Sequence, residues 1–175
     1  QNILDKGYSE YIADPGFCND RSLSTRSNNG DGVQDTVKHT YYEGYDRYVN
    51  HTPSLVCPNE ANDLFTTSTS NTGNKALTYP IGLITVDELM LGGLADGYLN
   101  RLSYTYSSSS YWTMSPRFFQ SADMAANISL VYAEGFISGG WSTKINGSVR
   151  GVLNLKPDVE ISGGIGTAGN PFVIK

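Results

Sequence analysis

The run Tyr111-Trp112-Thr113-Met114-Ser115-Pro116 constrains the chain most. Its first four residues favour a pleated, half-buried surface, so Tyr111–Met114 reads as a core strand. Trp112 and Met114 are its expected core pins, and Pro116 its expected end. A serine run, Ser107 to Ser110, leads into it, and a Gly-, Tyr- and Asn-rich tract closing on Gly151-Val152-Leu153-Asn154-Leu155-Lys156 follows it. The expectation is a strand that holds a ligand-binding face on its flanks, with no catalytic centre.

At 175 residues the chain is long enough to bury a core. Residues 1–175 are most economically one domain. Gln1 is an unusual translation start, so this is read as a mature or trimmed part of an exported precursor. Twelve tyrosines argue against a disordered chain. A net charge of −5 argues against a nucleic-acid partner, and gives no attraction to anionic lipid. No apolar run reaches the length of a membrane span, so direct membrane insertion is not expected.

Cys18 and Cys57 each sit beside turn residues. Two reduced, buried thiols are one reading. A disulfide is favoured, because the segment between them is polar and short of core residues. It would be worth about 4 kcal/mol by the chain-entropy model, and it suits an oxidising compartment.

Along the chain, Ile3, Leu4, Tyr8, Tyr11 and Ile12 fall at helical spacing over residues 3–12, and Asp14-Pro15-Gly16 stops that helix. Tyr41, Tyr42, Tyr45 and Tyr48 form a cluster suited to a helical turn or a packed loop, with the rings against the domain. Ala76–Ile84 reads as a strand with a proline kink. Thr85-Val86-Asp87-Glu88 is a capping box opening a short helix that Gly92-Gly93 ends. Asp87 and Glu88 could form an acid/base pair, but capping and the helix dipole already account for both. Beyond residue 98 short strands follow: Ile128–Tyr132 turning at Ala133-Glu134-Gly135 into Phe136-Ile137, Trp141–Ile145 ended by Asn146-Gly147, Val149–Leu155, and a last pair at Val159–Ile161 and Phe172–Ile174.

Signatures of catalysis fail on context. Gly164-Ile165-Gly166-Thr167-Ala168-Gly169 matches a dinucleotide fingerprint, yet no helix follows it, and a hairpin loop is the better account. His39 and His51 have no ligand-spaced partner, so no metal and no cofactor are expected. Asn28-Asn29-Gly30-Asp31-Gly32 lacks the ligand spacing of a calcium loop and reads as a turn. Asn50, Asn127 and Asn146 open glycosylation sequons by pattern.

Tyr, Trp, Ser and Asn between residues 98 and 148 give the composition of a recognition surface. The candidate binding residues are Tyr98, Asn100, Tyr104, Tyr106, Arg117, Phe119, Trp141 and Asn146, on segments 98–110, 117–123 and 138–148. Trp112, Tyr132 and Phe136 are assigned to the core. Tyr104, Tyr106, Arg117 and Phe119 are assigned to the surface because they flank Ser-rich loops.

The order of motifs carries a resemblance. Gly16-Phe17-Cys18-Asn19-Asp20-Arg21-Ser22, Lys75 to Glu88, Tyr111 to Pro116, Val149 to Lys156 and the Gly-Gly-x-Gly-Thr to Asn-Pro-Phe-Val-Ile ending together resemble a family of exported or surface-attached domains from gut Firmicutes. That family is similar to the C-type-lectin fold of formylglycine-generating-enzyme type, the fold also used by the variable proteins of diversity-generating retroelements. Two residues depart from the pattern. Gly151 stands where the family has proline, and no cysteine follows Cys57, whereas the sulfatase-modifying enzymes bind copper through a late cysteine pair. The resemblance implies an α+β, C-type-lectin-like, loop-rich domain of short antiparallel strands with two short helices. It would be the distal part of a longer chain, secreted or on a bacterial cell surface. Its expected role is non-enzymatic recognition of a protein or carbohydrate ligand. The alternative is a structural subunit of a pilus, fibre or surface layer that associates with its own copies.

Overall fold

The computed structural model describes residues 6–32, 35, 37–94, 98–121, 125–144, 146–167 and 169–175, with only the backbone of residues 138–141. Ten strands and three short helices are described along it. In chain order they are β1 (Ile12–Ala13), β2 (Phe17–Cys18), β3 (Thr40–Tyr41), α1 (Glu43–Asn50), α2 (Glu60–Asp63), β4 (Leu64–Phe65), α3 (Val86–Leu91), β5 (Tyr111–Gln120), β6 (Ala125–Val131), β7 (Ile137–Ser142), β8 (Asn154–Leu155), β9 (Ile161–Gly163) and β10 (Val173–Ile174). A four-stranded sheet in the order β3-β5-β6-β7 is antiparallel throughout. Three two-stranded antiparallel pairs, β1-β8, β2-β4 and β9-β10, stand beside it. The class is α+β, mostly antiparallel sheet with few helices.

The core lies where α1 and α3 meet the sheet. Tyr48, Val86, Leu89, Leu94, Tyr111, Val131 and Ile137 form one buried cluster, edged by Tyr45, Ile84 and Met90. Tyr48 brings a hydroxyl into it, which donates to the Ile137 carbonyl at 3.0 Å. A buried phenol without that acceptor would be costly.

β5 differs from its sequence reading in two ways. Tyr111, Thr113, Ser115 and Phe119 are its buried residues, while Trp112 and Met114 are only partly covered. The pin of this strand is therefore Tyr111. The strand also passes through Pro116 and runs on to Gln120. Proline has no N–H to give the ladder, and the register is irregular on either side of it. Other groups bridge the irregular stretch. Thr113 donates its hydroxyl to Ser129 O at 2.6 Å, Met114 N donates to Ile84 O at 2.9 Å, and Trp112 N donates to Ser148 O at 3.0 Å.

α3 begins with the complete capping box. Glu88 N donates to Thr85 Oγ1 at 3.1 Å, and Thr85 N donates to Glu88 Oε2 at 2.7 Å. Ser115 Oγ of β5 takes another unpaired helix donor, Val86 N, at 2.9 Å. The tyrosine cluster lies on and beside α1, with Tyr48 buried and Tyr45 at the core edge. β6 and β7 join through Ala133-Glu134-Gly135, where Gly135 takes φ 94° and its N–H donates to Tyr132 O.

Three elements correct the sequence reading. The helix over 3–12 is a 3₁₀ turn at Tyr8–Tyr11 after Gly7 at φ 82°, and Ile12 instead pairs with Leu155. Ile3 and Leu4 lie outside the described residues. Ala76–Ile84 forms only isolated bridges, Leu77 to Thr67 and Gly82 to Val152. At Gly82 the Phe17 ring approaches within 2.3 Å of where a Cβ would stand, so the chain passes over Phe17 as a bare backbone. Val149–Leu155 narrows to β8 and the Val152 bridge. Three described helices stand in place of the expected two: the helix over 3–12 gives way to the 3₁₀ turn, and α1 and α2 are additions.

Cys18 and Cys57 are joined in a disulfide across 39 residues. No described helix is long and apolar enough to cross a membrane.

Two stability effects follow from this layout. Replacing both Cys18 and Cys57 with serine should lower unfolding free energy by about 4 kcal/mol, read from the urea midpoint. Thr85→Ala should cost about 1 kcal/mol in the same assay, because it removes the acceptor for Glu88 N.

Candidate functional site

The polar centre of the molecule is an ion network that the sequence does not advertise. Arg47, on α1, faces Asp87 at the start of α3. Arg47 Nε donates to Asp87 Oδ1 at 2.8 Å and Nη2 donates to Oδ2 at 2.9 Å, a bidentate fork. Arg47 Nη1 donates to Asp20 Oδ2 at 2.8 Å, on the loop after β2. Asp20 and Asp87 are buried. Asp87 Oδ1 also accepts from Ser54 N at 2.9 Å, and Asp20 Oδ1 from Ser22 N at 3.0 Å. The fork with Asp87, reinforced by Asp20, holds the Arg47 proton above the ordinary arginine value against the opposing effect of burial. Asp87 is thus a structural anion, and Glu88 is occupied by capping. The two are not arranged as an acid/base pair.

A cleft of about 260 Å³ opens beside this network. Phe17, Leu64, Leu55, Val56 and the Cys18–Cys57 disulfide make its apolar wall, and Asp20, Arg47, Asp87 and Glu88 make its charged one. A second depression, of about 550 Å³, lies by Arg21, Tyr42 and Asn62. There Arg21 is already paired to Asp63 through Nε at 2.7 Å. Burial pushes the Tyr42 phenol above its ordinary value, with Arg21 acting the other way.

The expected recognition face divides. Tyr98 and Tyr104 are 74% and 73% exposed, and between them Leu102 is 98% exposed. This loop is fixed through its backbone. Asn100 Nδ2 donates to Gly93 O at 2.9 Å, its Oδ1 accepts from Leu102 N, and its own N donates to Gly135 O at 2.8 Å. Asn100 is therefore a brace. Tyr106 is half-buried, with its ring against Gly135. Arg150 fastens the far end of the loop by donating from Nη1 to Thr105 O at 2.8 Å, while its guanidinium sits 5.4 Å from the Tyr111 ring centre. Burial holds the Tyr111 phenol above its ordinary value, with Arg150 opposing.

Arg117 and Phe119 do not join that loop. Phe119 is 5% exposed and pairs with Thr40 and Ala126 inside the sheet, which corrects its assignment to the surface. Arg117 is half-buried, with its guanidinium 4.4 Å from the Tyr45 ring and 5.5 Å from that of Tyr48. Its Nη1 is buried and has no hydrogen-bond partner among the described residues. The negative ring faces partly replace that partner. Arg26 continues the stack over Tyr41 at 4.2 Å and Tyr45 at 4.8 Å, and is ion-paired to Asp46. These tyrosines serve as platforms for cations as well as packing. Trp112, Tyr132 and Phe136, assigned to the core, are partly covered. Asn146 is exposed. The Trp141 backbone pairs with Ile128, and its side chain lies outside the described part, as do residues 122–123 and 145 of the expected segments.

The remaining motifs are structural. Gly164–Gly169 belongs to the connection from β9 to β10, where Thr167 and Asn170 exchange backbone hydrogen bonds. Asn29 ties a turn by accepting from Tyr41 N at 2.6 Å and donating to Ser24 O and Tyr41 O. Asn127 is buried, so its sequon is closed in the folded chain, whereas Asn50 and Asn146 are exposed. Among the described residues no group of His, Cys, Asp and Glu could hold a metal ion.

Arg47→Met should destabilise the fold by about 3–5 kcal/mol in urea denaturation, because Asp87 and Asp20 would be left buried and unpaired. A loss under about 1 kcal/mol would show that the network contributes no more than a surface pair.

No protein-family model, curated protein or solved structure matches the chain.

Proposed function

We propose that this chain is an extracellular or cell-surface recognition module with a C-type-lectin-like arrangement, and that it binds a protein or carbohydrate ligand without catalysis. The observation that carries this reading is the loop of Tyr98, Leu99, Leu102 and Tyr104, whose side chains stand in solvent on a braced backbone. Rigid aromatic anchors lose little entropy on binding, and a pre-organised loop reduces the cost further. The disulfide supports an oxidising compartment. The charge of −5 leaves nucleic acid as a poor partner. In this reading Asn146 and Arg117 are peripheral, and Arg117 offers an anionic group only the part of its guanidinium not covered by tyrosine.

The second reading is a structural subunit of a fibre or surface layer. It draws on the β9-β10 hairpin, whose strands pair only with each other among the described residues. Ile161, Ile165, Phe172 and Val173 of that hairpin are exposed. Such an edge can pair with another copy. Concentration-dependent growth in size-exclusion chromatography, with filaments in electron microscopy, would favour this reading.

For the recognition reading, Tyr98→Ala, Leu102→Ala and Tyr104→Ala should each change stability by less than about 0.5 kcal/mol, since the side chains are solvated. Together they should abolish binding to the protein or glycan array ligands that the parent chain retains. Array binding unchanged in the triple variant would remove this loop from the reading.

A further inference from the structure

The cleft beside the disulfide has properties that the ion network alone does not require. Its walls carry three carboxylates, Asp20, Asp87 and Glu88, against the single guanidinium of Arg47. That leaves a formal excess of two negative charges in a concave, partly buried space. Low-dielectric walls focus such a field toward the mouth.

The acceptors differ in what remains to them. The oxygens of Asp87 and Asp20 each take one or two donors from Arg47, Ser54 and Ser22. Glu88 Oε2 takes both the amide and the hydroxyl of Thr85, at 2.7 and 2.8 Å. No donor reaches Glu88 Oε1 among the described residues, so of these oxygens it is the one with both acceptor sites open. It is held in place because its twin is fixed by the capping box.

The rim has the opposite chemistry. Leu55 and Val56 line the cleft while remaining 68% and 71% exposed. Their loop is anchored on both sides, by Ser54 N on Asp87 and by Cys57 in the disulfide. Apolar surface presented this way, above a negatively charged floor, suits a ligand with an aliphatic stem and a compact cationic head.

We propose that this cleft binds an aliphatic ammonium group of the kind carried by a lysine side chain. The stem lies along Leu55, Val56 and the disulfide, and the ammonium donates to Glu88 Oε1 within the field of Asp20 and Asp87. A carboxylate or phosphate would meet the charge excess, and a neutral alkyl group would leave the floor unused. The proposal stands apart from the Tyr98–Tyr104 loop, and failure of either leaves the other intact.

The test is a titration followed by amide NMR, with N-acetyl-lysine amide as probe and N-acetyl-norleucine amide as its uncharged counterpart. The lysine probe should give saturable shifts at Ser54, Leu55, Val56 and Glu88 that weaken with added salt. The norleucine probe should not. Glu88→Gln removes the charge while glutamine can still complete the capping box. It should raise the Kd at least about tenfold, a loss of about 1.4 kcal/mol. Leu55→Ser, on the exposed rim, should also weaken binding without touching the network. Equal shifts from both probes, no saturable shift from the lysine probe, or an unchanged Kd in both variants would overturn the proposal.

Discussion

One guanidinium organises this molecule. Arg47 reaches from α1 to the first turn of α3 through Asp87, and to the loop after β2 through Asp20. These three segments are separated by 27 and 40 residues. Removing such charges from water costs several kcal/mol per ion, and the attraction offsets it only when every lone pair and proton is placed. Here the Arg47 fork is bidentate and the carboxylates receive backbone donors as well. A network of that kind tolerates few alternative arrangements, so its contribution lies as much in fixing where α1 and α3 dock as in stability. The disulfide fastens the same corner, joining β2 to the loop whose Ser54 caps Asp87.

The sheet packs against the same corner. Once α1 and α3 are placed, Tyr48, Val86 and Leu89 present an apolar surface to Tyr111, Val131 and Ile137. Tyr48 closes the joint by donating to the Ile137 backbone. At the edge of the core, Arg117 and Arg26 interleave with Tyr41, Tyr45 and Tyr48, so one end of the sheet is covered by stacked rings and cations. Arg150 serves the other side, tying the residue 105–106 backbone to the Tyr111 ring.

What could be read from the sequence was local. The capping box at Thr85, the turn at Ala133-Glu134-Gly135 and the hairpin loop at Gly164–Gly169 are each set by residues a few positions apart, and all three are present. The cysteine pairing was legible because the segment between Cys18 and Cys57 is polar and short of core residues, and so calls for a staple. Arg47 with Asp87 was not, since two charges 40 residues apart leave no pattern in the chain. Phe119 was misplaced for a related reason. A serine-rich neighbourhood says that a loop is near, but the face of a strand is set by its register. Phe119 keeps the alternation of Tyr111, Thr113 and Ser115 across the irregular register around Pro116, and so turns inward with them. Ala76–Ile84 misled in the other direction, because its apolar run is used to lay a bare backbone over Phe17 instead of pairing in a ladder.

The two surfaces differ in how freely their side chains can change. The Tyr98–Tyr104 loop is held by acceptors and donors of the backbone and by Asn100, while the side chains of Tyr98, Leu102 and Tyr104 stand largely in solvent. Their identity can vary at little cost in stability, which suits a surface whose ligand is set by its side chains. The cleft is built in the contrary way. Glu88 caps α3 with one oxygen and offers the other, and Asp87 braces Arg47 while charging the floor. Changing Asp20 or Asp87 therefore disturbs the fold, and the cation preference proposed for the cleft draws on the residues that hold its architecture.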